Sequence, residues 1–425
     1  MKSLTPIRHG LRTIVCASIV FGFWTSAHAT VPIDILHTFS GDADGGRPIA
    51  GLTVVGPKIY GTAGGSVPIV GTVFSMNHDG SDYNVLHSFN TSSINDGQFP
   101  YGTLTSVGIT LYGTTSAGGS AGGFGTVFSM NLDGSNYRVR HSFNQADGRD
   151  PQAALTLVGS TLYGTTVDGG STFGGTVFKM SLDGSGFQSI HTFASGTDGG
   201  GPRAAITPVG STLYGTASAG GAHGDGTVYS MNLDGSNFQV LHSFAGGVND
   251  GQEPYGALLN IGSTLYGTTR LGGFYAAGTV FSMNLDGSNF KLLHTINPSV
   301  GDGSRPHAGL IIAESTLYGT TAGNDNQGGG TVFAMSLDGA KFQTLYTFSG
   351  GIDGKNPFAA LAIHDSTLFG TTYAGGTGHG TVYSLPVPEP SAYLLAGLGF
   401  VGLVTVRLWN GTTPPRLVWC ALAKK

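Results

Sequence analysis

Residues 110–130 read TLYGTTSAGGSAGGFGTVFSM: two stretches of strand-forming residues with a glycine-rich interval between them. The same sentence recurs along the chain. A Tyr/Phe-Gly-Thr core begins at Tyr60, Tyr112, Tyr163, Tyr214, Tyr266, Tyr318 and Phe369, at a spacing of 51 or 52 residues. A Gly-Thr-Val core begins at Gly71, Gly125, Gly175, Gly226, Gly278, Gly330 and Gly380. A third core, LHSF or a close variant, ends at Phe39, Phe89, Phe143, Phe193, Phe244, Ile296 and Phe348. A fourth, Asp-Gly-x-x-Pro, begins at Asp44, Asp96, Asp147, Asp198, Asp250, Asp302 and Asp353. Four short strands in a unit of this length form one blade of a β-propeller.

Each unit divides into strands A to D. Strand A follows the Asp-Gly-x-x-Pro turn, as in PYGALLNI (254–261); strand B is TLYGTT and strand C is GTVFSMNL. An Asp-Gly pair then predicts a type I′ hairpin, whose two central residues both need positive φ. Strand D, NFQVLHSF (237–244), alternates, which places Phe238, Val240, His242 and Phe244 on one face. No stretch of the body has helical periodicity.

The phase of the repeat predicts how it ends. The last unit, Asp353 to Leu385, stops after strand C, while IDILHTF (33–39) supplies a lone strand D ahead of the first unit. Pairing the two closes a ring and removes an open sheet edge. The expected fold is therefore all-β: a seven-bladed β-propeller of four-stranded blades over residues 30–385, its ring closed by the N-terminal strand pairing with the last blade.

Of 425 residues, 73 are glycine and 10% are charged, with a net charge of −5. Without a G-X-Y period this is not collagen, and 40% hydrophobic content is too apolar for disorder. The absence of a basic run argues against a nucleic-acid partner. The two cysteines, Cys16 and Cys420, both lie outside the repeats, which rules out disulfides or cysteine-ligated metal in the body.

The two ends read as addresses. Lys2, Arg8 and Arg12, the apolar run TIVCASIVFGFW (13–24) and AHA (27–29) form a signal peptide over residues 1–29. Residues 386–425 hold Pro388, Glu389 and Pro390, an apolar stretch over 391–406, Arg407 and a short tail. This order resembles a PEP-CTERM sorting signal, which implies recognition by an exosortase-like processing enzyme and membrane contact through the helix before processing. The apolar stretch of 16 residues spans about 24 Å of helix against a hydrocarbon core of about 30 Å, and 18 residues follow Arg407 where such signals end sooner. A plain C-terminal anchor is the other reading.

The repeat LYGTT…GG…GTVFSM, present in all seven units from Ile33 to Leu385, resembles the GloVer-type tandem repeat of extracellular bacterial proteins, and more loosely the kelch repeat. The resemblance implies a secreted or surface protein, on the cell surface, outer envelope or extracellular matrix. It carries no defined activity.

In this strand order the B–C and D–A loops share one face of the disk. The C–D loops on the other face are nearly uniform (LDGSN and variants), whereas the B–C loops differ from unit to unit. Binding residues sit on such loops. The larger side chains there are Phe124, Phe173, His223, Asp225, Arg270, Phe274, Tyr275, Asn324, Asp325, Asn326, Tyr373 and His379, a set of rings, amides and acids suited to carbohydrate or a peptide; drift in unconstrained loops would give the same variation.

The ring of Asp-Gly-x-x-Pro aspartates reads either as repeated Ca²⁺ sites or, more simply, as Asx-turns bonding the backbone ahead of a rigid proline. The strand D histidines (His37, His87, His141, His191, His242, His294) lie on the outer rim and cannot converge on one ion; a packed histidine with one hydrogen bond accounts for them and for Tyr346 in the remaining copy. There is no G-x-S-x-G elbow and no Walker loop, no cofactor is expected, and no residue is assigned a catalytic role. The functional expectation is an exported, surface- or matrix-associated binding scaffold with a monomeric body, for polysaccharide or another surface protein. The alternative is a glycosidase or lyase at the channel. Two or three carboxylates within about 5–10 Å at the channel mouth would favour the enzyme, and an aromatic, amide-lined groove without them would favour the binder.

Overall fold

A computed structural model describes residues 31–388, apart from 42, 66–68, 92–94 and 324–327. The signal peptide (1–29), Glu389, Pro390, the apolar stretch 391–406 and the tail lie outside the described residues.

Seven antiparallel four-stranded sheets follow one another along the chain. In the fourth blade strand A is Thr207–Val209, B is Thr212–Ala217, C is Thr227–Asn232 and D is Gln239–Ser243. The last blade takes A (Ala362–His364), B (Thr367–Thr372) and C (Thr381–Pro386) from the end of the repeats and D (Asp34–Thr38) from their beginning. Asp34 faces Ser384, Ile35 faces Tyr383 and Thr38 faces Thr381 in that closing pair. The only helical turn among the described residues is the short 3₁₀ segment Pro298–Val300.

The apolar residues of each blade are split between two interfaces, and the repeat's spelling explains how. In TLYG the Leu and Tyr of strand B point to opposite faces, and in TVFSM the Val opposes Phe and Met. One core cluster joins Tyr214, Val228 and Phe244 of the fourth blade to Leu258, Leu265, Phe281 and Met283 of the fifth. The closing interface repeats the pattern, with Val382, Phe369 and Phe39 against Leu52, Ile59, Phe74 and Met76. Strands B and C are buried on both faces, so their residues do not alternate between core and solvent, and their threonines and serines are buried with the apolar side chains.

Two glycines and one threonine of each repeat order the strands within a blade and the blades against each other. In strand B, Gly113 faces Phe128 across the ladder, and a Cβ on Gly113 would lie 2.5 Å from that ring. The glycine of Tyr-Gly-Thr is thus the floor on which the strand C aromatic lies. The following threonine crosses to the next blade: Thr114, Thr165, Thr216, Thr268, Thr320 and Thr371 donate to Ala153, Ala204, Gly256, Ala308, Ala359 and Ala50 at 2.8–3.2 Å. The glycine of Gly-Thr-Val has positive φ in all seven copies. Its Cβ position is occupied by the proline of the next blade, at 2.3–2.8 Å, including Pro48 against Gly380 across the closure.

Three local readings are corrected by the structure. Strand A is only three residues long; Pro254 to Leu258 make no ladder pairing and strand A begins at Leu259. The C–D hairpin is not type I′. Asp133 accepts bonds from the Ser135 amide (2.9 Å) and hydroxyl (2.6 Å), which holds Asp133 at negative φ; of the Asp-Gly pair only Gly134 is left-handed, at +87°, and Asn136 follows at +56°. Gly134 N–H donates to Asn131 and Asn131 N–H to Ser135, a three-residue loop built on a type I turn with a left-handed glycine. Strand D does not keep one face. A bulge between Val228 and Tyr229 on strand C, opposite Leu241, flips the alternation. Phe238 therefore stacks on His191 of the third blade while His242 stacks on Phe290 of the fifth.

The A–B hairpins turn on a residue at positive φ: glycine at 56, 108, 159, 210 and 262, but Glu314 (+54°) and Asp365 (+51°) in the last two blades. A Cβ at Gly262 meets nothing within 4 Å, so the glycine serves conformation rather than space. Glu314→Gly and Asp365→Gly should each stabilise the protein by about 1 kcal/mol, readable as a higher midpoint in a urea titration; no change, or a loss, would overturn this account.

Candidate functional site

The Asp-Gly-x-x-Pro segment enters the site from the rim. Its aspartate and the strand D histidine prove to be parts of one device. His294 Nε2 lies 2.8 Å from Asp302, and the equivalent pairs at His141, His242, His37 and His87 lie at 3.2–3.3 Å. His191 stands 3.7 Å from Asp198, and Tyr346 donates to Asp353 at 3.0 Å. Each of the six histidines stacks at 3.7–3.9 Å on an aromatic ring of the following blade. The same aspartates accept the amide just after strand D, as at Ser40 (3.0 Å), Asn144 (2.9 Å) and Ala245 (3.0 Å). The carboxylate thus ties the backbone behind it, and at Asp96 and Asp250 it also accepts the next amide, from Gly97 (2.8 Å) and Gly251 (2.7 Å). The rim holds a packed histidine against a carboxylate, hydrogen-bonded in each pair except at His191. Burial holds His37 and His191 below the usual histidine range, against the pull of their aspartates. Among the described residues no group of three His, Cys, Asp or Glu is placed to hold a metal ion.

Beyond the aspartate the chain reaches the axis. The residue before each proline sits at φ +53° to +62°: Arg47, Phe99, Asp150, Gly201, Glu253, Arg305 and Asn356. Left-handed backbone is costly for six of these residues, by about 1–3 kcal/mol each. Both polar groups of the peptide are used: Glu253 N–H donates to Asp225 of the preceding blade, and its carbonyl accepts the Arg270 N–H. Arg47 N–H donates to His379 in the same way across the closure. This stitch fixes the next residue but one, after the proline, at the mouth of the central channel.

Those residues are Ile49, Tyr101, Gln152, Arg203, Tyr255, His307 and Phe358. Below them the wall is alanine and glycine, as at Ala204, Ala205, Gly256 and Ala257, around a cavity of about 510 Å³. The large side chains form a connected ring. Gln152 donates to Asp150 (2.9 Å) and accepts from Arg203 Nη1 (2.8 Å). The guanidinium groups of Arg203 and Arg270 lie 5.1 and 5.6 Å from the Tyr255 ring centre. Arg270 donates to Glu253 at 2.5 Å and approaches His307 at 3.3 Å. His307 packs edge-on to Tyr255 and Phe358, and Phe358 packs against Tyr373, over which Arg47 lies at 6.0 Å.

The electrostatics follow from burial and from the arginines. His307 is pushed down to about 3, first by burial and then by Arg270, Arg305 and Arg203. Burial also raises the Tyr101 phenol and the Asp150 carboxyl, the latter opposed by its bond from Gln152 and by Arg203. Among the described residues that line the cavity there is no carboxylate; Asp150 and Glu253, one position outside it, are bonded to Gln152 and Arg270.

Of the loop residues expected to bind, only Arg270 and Tyr373 reach this mouth. Phe124 is half-buried against the core between the second and third blades. Phe173, Phe274 and Tyr275 are 59%, 66% and 45% exposed at loop tips, the last two ring to ring at 5.0 Å. His223 is exposed, Asp225 accepts from Gln252 at 2.7 Å, and His379 lends its carbonyl to Arg47. Asn324, Asp325 and Asn326 lie outside the described residues. In the sequence the position after the proline reads as part of strand A. Its signal was present, however: one variable, bulky residue followed by alanine, glycine or threonine in every unit.

Among solved structures, an oligogalacturonate lyase in complex with manganese has the same fold, with a TM-score of 0.57 at 13% identity over 85% of this chain and 94% of that one. The oligogalacturonate lyase of Vibrio parahaemolyticus gives 0.50 at 12% identity, over 84% and 94%. A nidogen/laminin complex chain gives 0.42 at 17% identity, over 65% and 89%. No curated protein matches the sequence. Residues 386–407 match the PEP-CTERM protein-sorting motif, which indicates export and association with the bacterial cell surface through exosortase-type processing. Residues 19–174 and 158–383 match the Gloeobacter/Verrucomicrobia repeat, and the chain belongs to that family.

Proposed function

We propose that this exported protein is a surface-retained scaffold that binds polysaccharide at the mouth of its channel. The observation that carries the reading is the ring after the prolines. Seven nearly identical backbones present seven side chains that are mostly aromatic, amide or guanidinium, above a wall of alanine, glycine and threonine. Sugar rings offer C–H faces to aromatic groups and hydroxyls to amides and guanidinium groups, and a rigid wall presents these without the entropy cost of ordering loops. Arg270 and Tyr373 extend the same surface outward.

The oligogalacturonate lyases show that this fold can carry carbohydrate chemistry. Against an enzyme here stands the state of the nearby acids: Asp150 and Glu253 arise from different blades and each is already bonded to a neighbour. Binding to a panel of polysaccharides, measured on the full chain with analysis for new chain ends, tests both readings. Tyr255→Ala and Phe358→Ala should each weaken binding about tenfold or more, a loss of about 1.4 kcal/mol, while Phe274→Ala at a loop tip leaves it intact. The reverse pattern would move the site to the loop tips, new chain ends would favour the enzyme, and no binding to any polysaccharide would overturn the proposal.

A further inference from the structure

We infer that the channel mouth selects acidic polysaccharide, with its arginines taking the anionic groups of the sugar chain; this rests on the reading of the mouth as a polysaccharide site. The chain is acidic overall, yet four of the seven arginines between residues 31 and 388 gather here: Arg47, Arg203, Arg270 and Arg305. Only Arg270 has a carboxylate partner, Glu253. Arg47, Arg203 and Arg305 form no ion pair among the described residues.

Arg203 is the central case. Its Nε is buried and has no hydrogen-bond partner, while one Nη is spent on Gln152 and its face lies over Tyr255. A buried donor left unpaired costs about 1–3 kcal/mol, and a planar guanidinium is the side chain best shaped to grip a two-oxygen anion. Arg270, 3.3 Å from His307, and Arg305, two residues before it, add their charges around this histidine, which remains neutral and adds no competing charge of its own. The acids that face the group, Asp150 and Glu253, neutralise two of the four charges, so the mouth keeps an excess of positive charge within a concave, poorly solvated wall, where field lines concentrate. Tyr101, Tyr255 and Phe358 between the arginines supply the faces for the sugar rings. Charges alternating with rings around one rim match a polymer that carries an anion on each sugar, better than a neutral glycan.

The test compares alginate (a polyuronate), dextran sulfate and neutral dextran on the full chain. Alginate should bind at least tenfold more tightly than dextran, with an affinity that falls as salt rises. Dextran sulfate separates a requirement for carboxylate from one for any anion: comparable binding assigns the site to anionic sugars in general, and weaker binding assigns it to uronates. Arg203→Gln should weaken alginate binding about tenfold, and by clearly more than it weakens dextran binding. Arg47→Gln, at an exposed side chain whose loss leaves the core intact, should weaken it several-fold, and Arg138→Gln on the outer strand of the second blade should do nothing. Dextran binding as tight as alginate, or an equal loss from Arg138→Gln and Arg203→Gln, overturns the inference while the polysaccharide reading stands; failure of all three polymers removes both.

Discussion

A chain lacking residues 31–40 should melt roughly ten degrees or more below the full chain and self-associate on size exclusion. Most of what those residues touch is remote from them in sequence. Phe39 is fully buried in the closing core beside Val382, Phe74 and Met76. Its N–H donates to Gly380 at 3.1 Å, and its carbonyl accepts the Thr377 hydroxyl at 2.5 Å. Val31 N–H donates to Leu345 of the sixth blade, and Val31, Ile33 and Ile35 pack against the core between the last two blades. Removing one fully buried phenylalanine costs about 3–5 kcal/mol by itself. The deletion also bares strand C of the last blade, TVYSLP, whose unpaired edge would recruit other chains. Restoring the segment as a free peptide should recover part of the melting temperature. If the truncated protein melts with the full one and remains monomeric, the N-terminal strand does not close the ring.

The second large effect is expected at the glycine of Gly-Thr-Val. Gly226 sits at φ +101°, and a Cβ there would lie 2.6 Å from both the carbonyl oxygen of Ala217 and Cδ of Pro254. Both are parts of the backbone framework and neither can swing aside. Gly226→Ala combines left-handed strain of about 1 kcal/mol with an overpacking cost of about 1–3 kcal/mol. Because Pro254 belongs to the following blade, the cost is levied on the interface between the two. A total of about 3 kcal/mol is expected in chemical denaturation. Gly224→Ala is the matched control: Gly224 has φ +89° but open space where the Cβ would stand, so it should lose only the conformational part. Equal losses at the two sites would show that packing against the proline contributes nothing.

Much of this architecture could be read without coordinates, and the reason is local. The period, the number of blades and the odd strand at each end are written in contiguous stretches, and Asp34–Thr38 lands beside Thr381–Pro386 as the phase requires. What misled was also local. The Asp-Gly pair at 133–134 is a turn, but the Ser135 bonds to Asp133 choose a different loop from the one the dipeptide alone suggests. The alternation along 237–244 is broken by a bulge that recurs in every C–D pair, as between Val127 and Phe128, and no residue type announces it. The aspartates and histidines read as separate features because the five to eight residues between partners vary, and only the folded loop shows that they touch.

Seven like units of four strands closing into a ring are legible in the chain alone, because each unit repeats the same strand and turn chemistry. Which side chains meet is settled only once the ring has folded. Arg203, Tyr255 and His307 are each about one repeat apart in the chain, and the small residues that follow them mark a variable position without showing where it points. They come together because every blade directs the same position toward a common axis, so that a site is assembled from seven copies that no single copy contains.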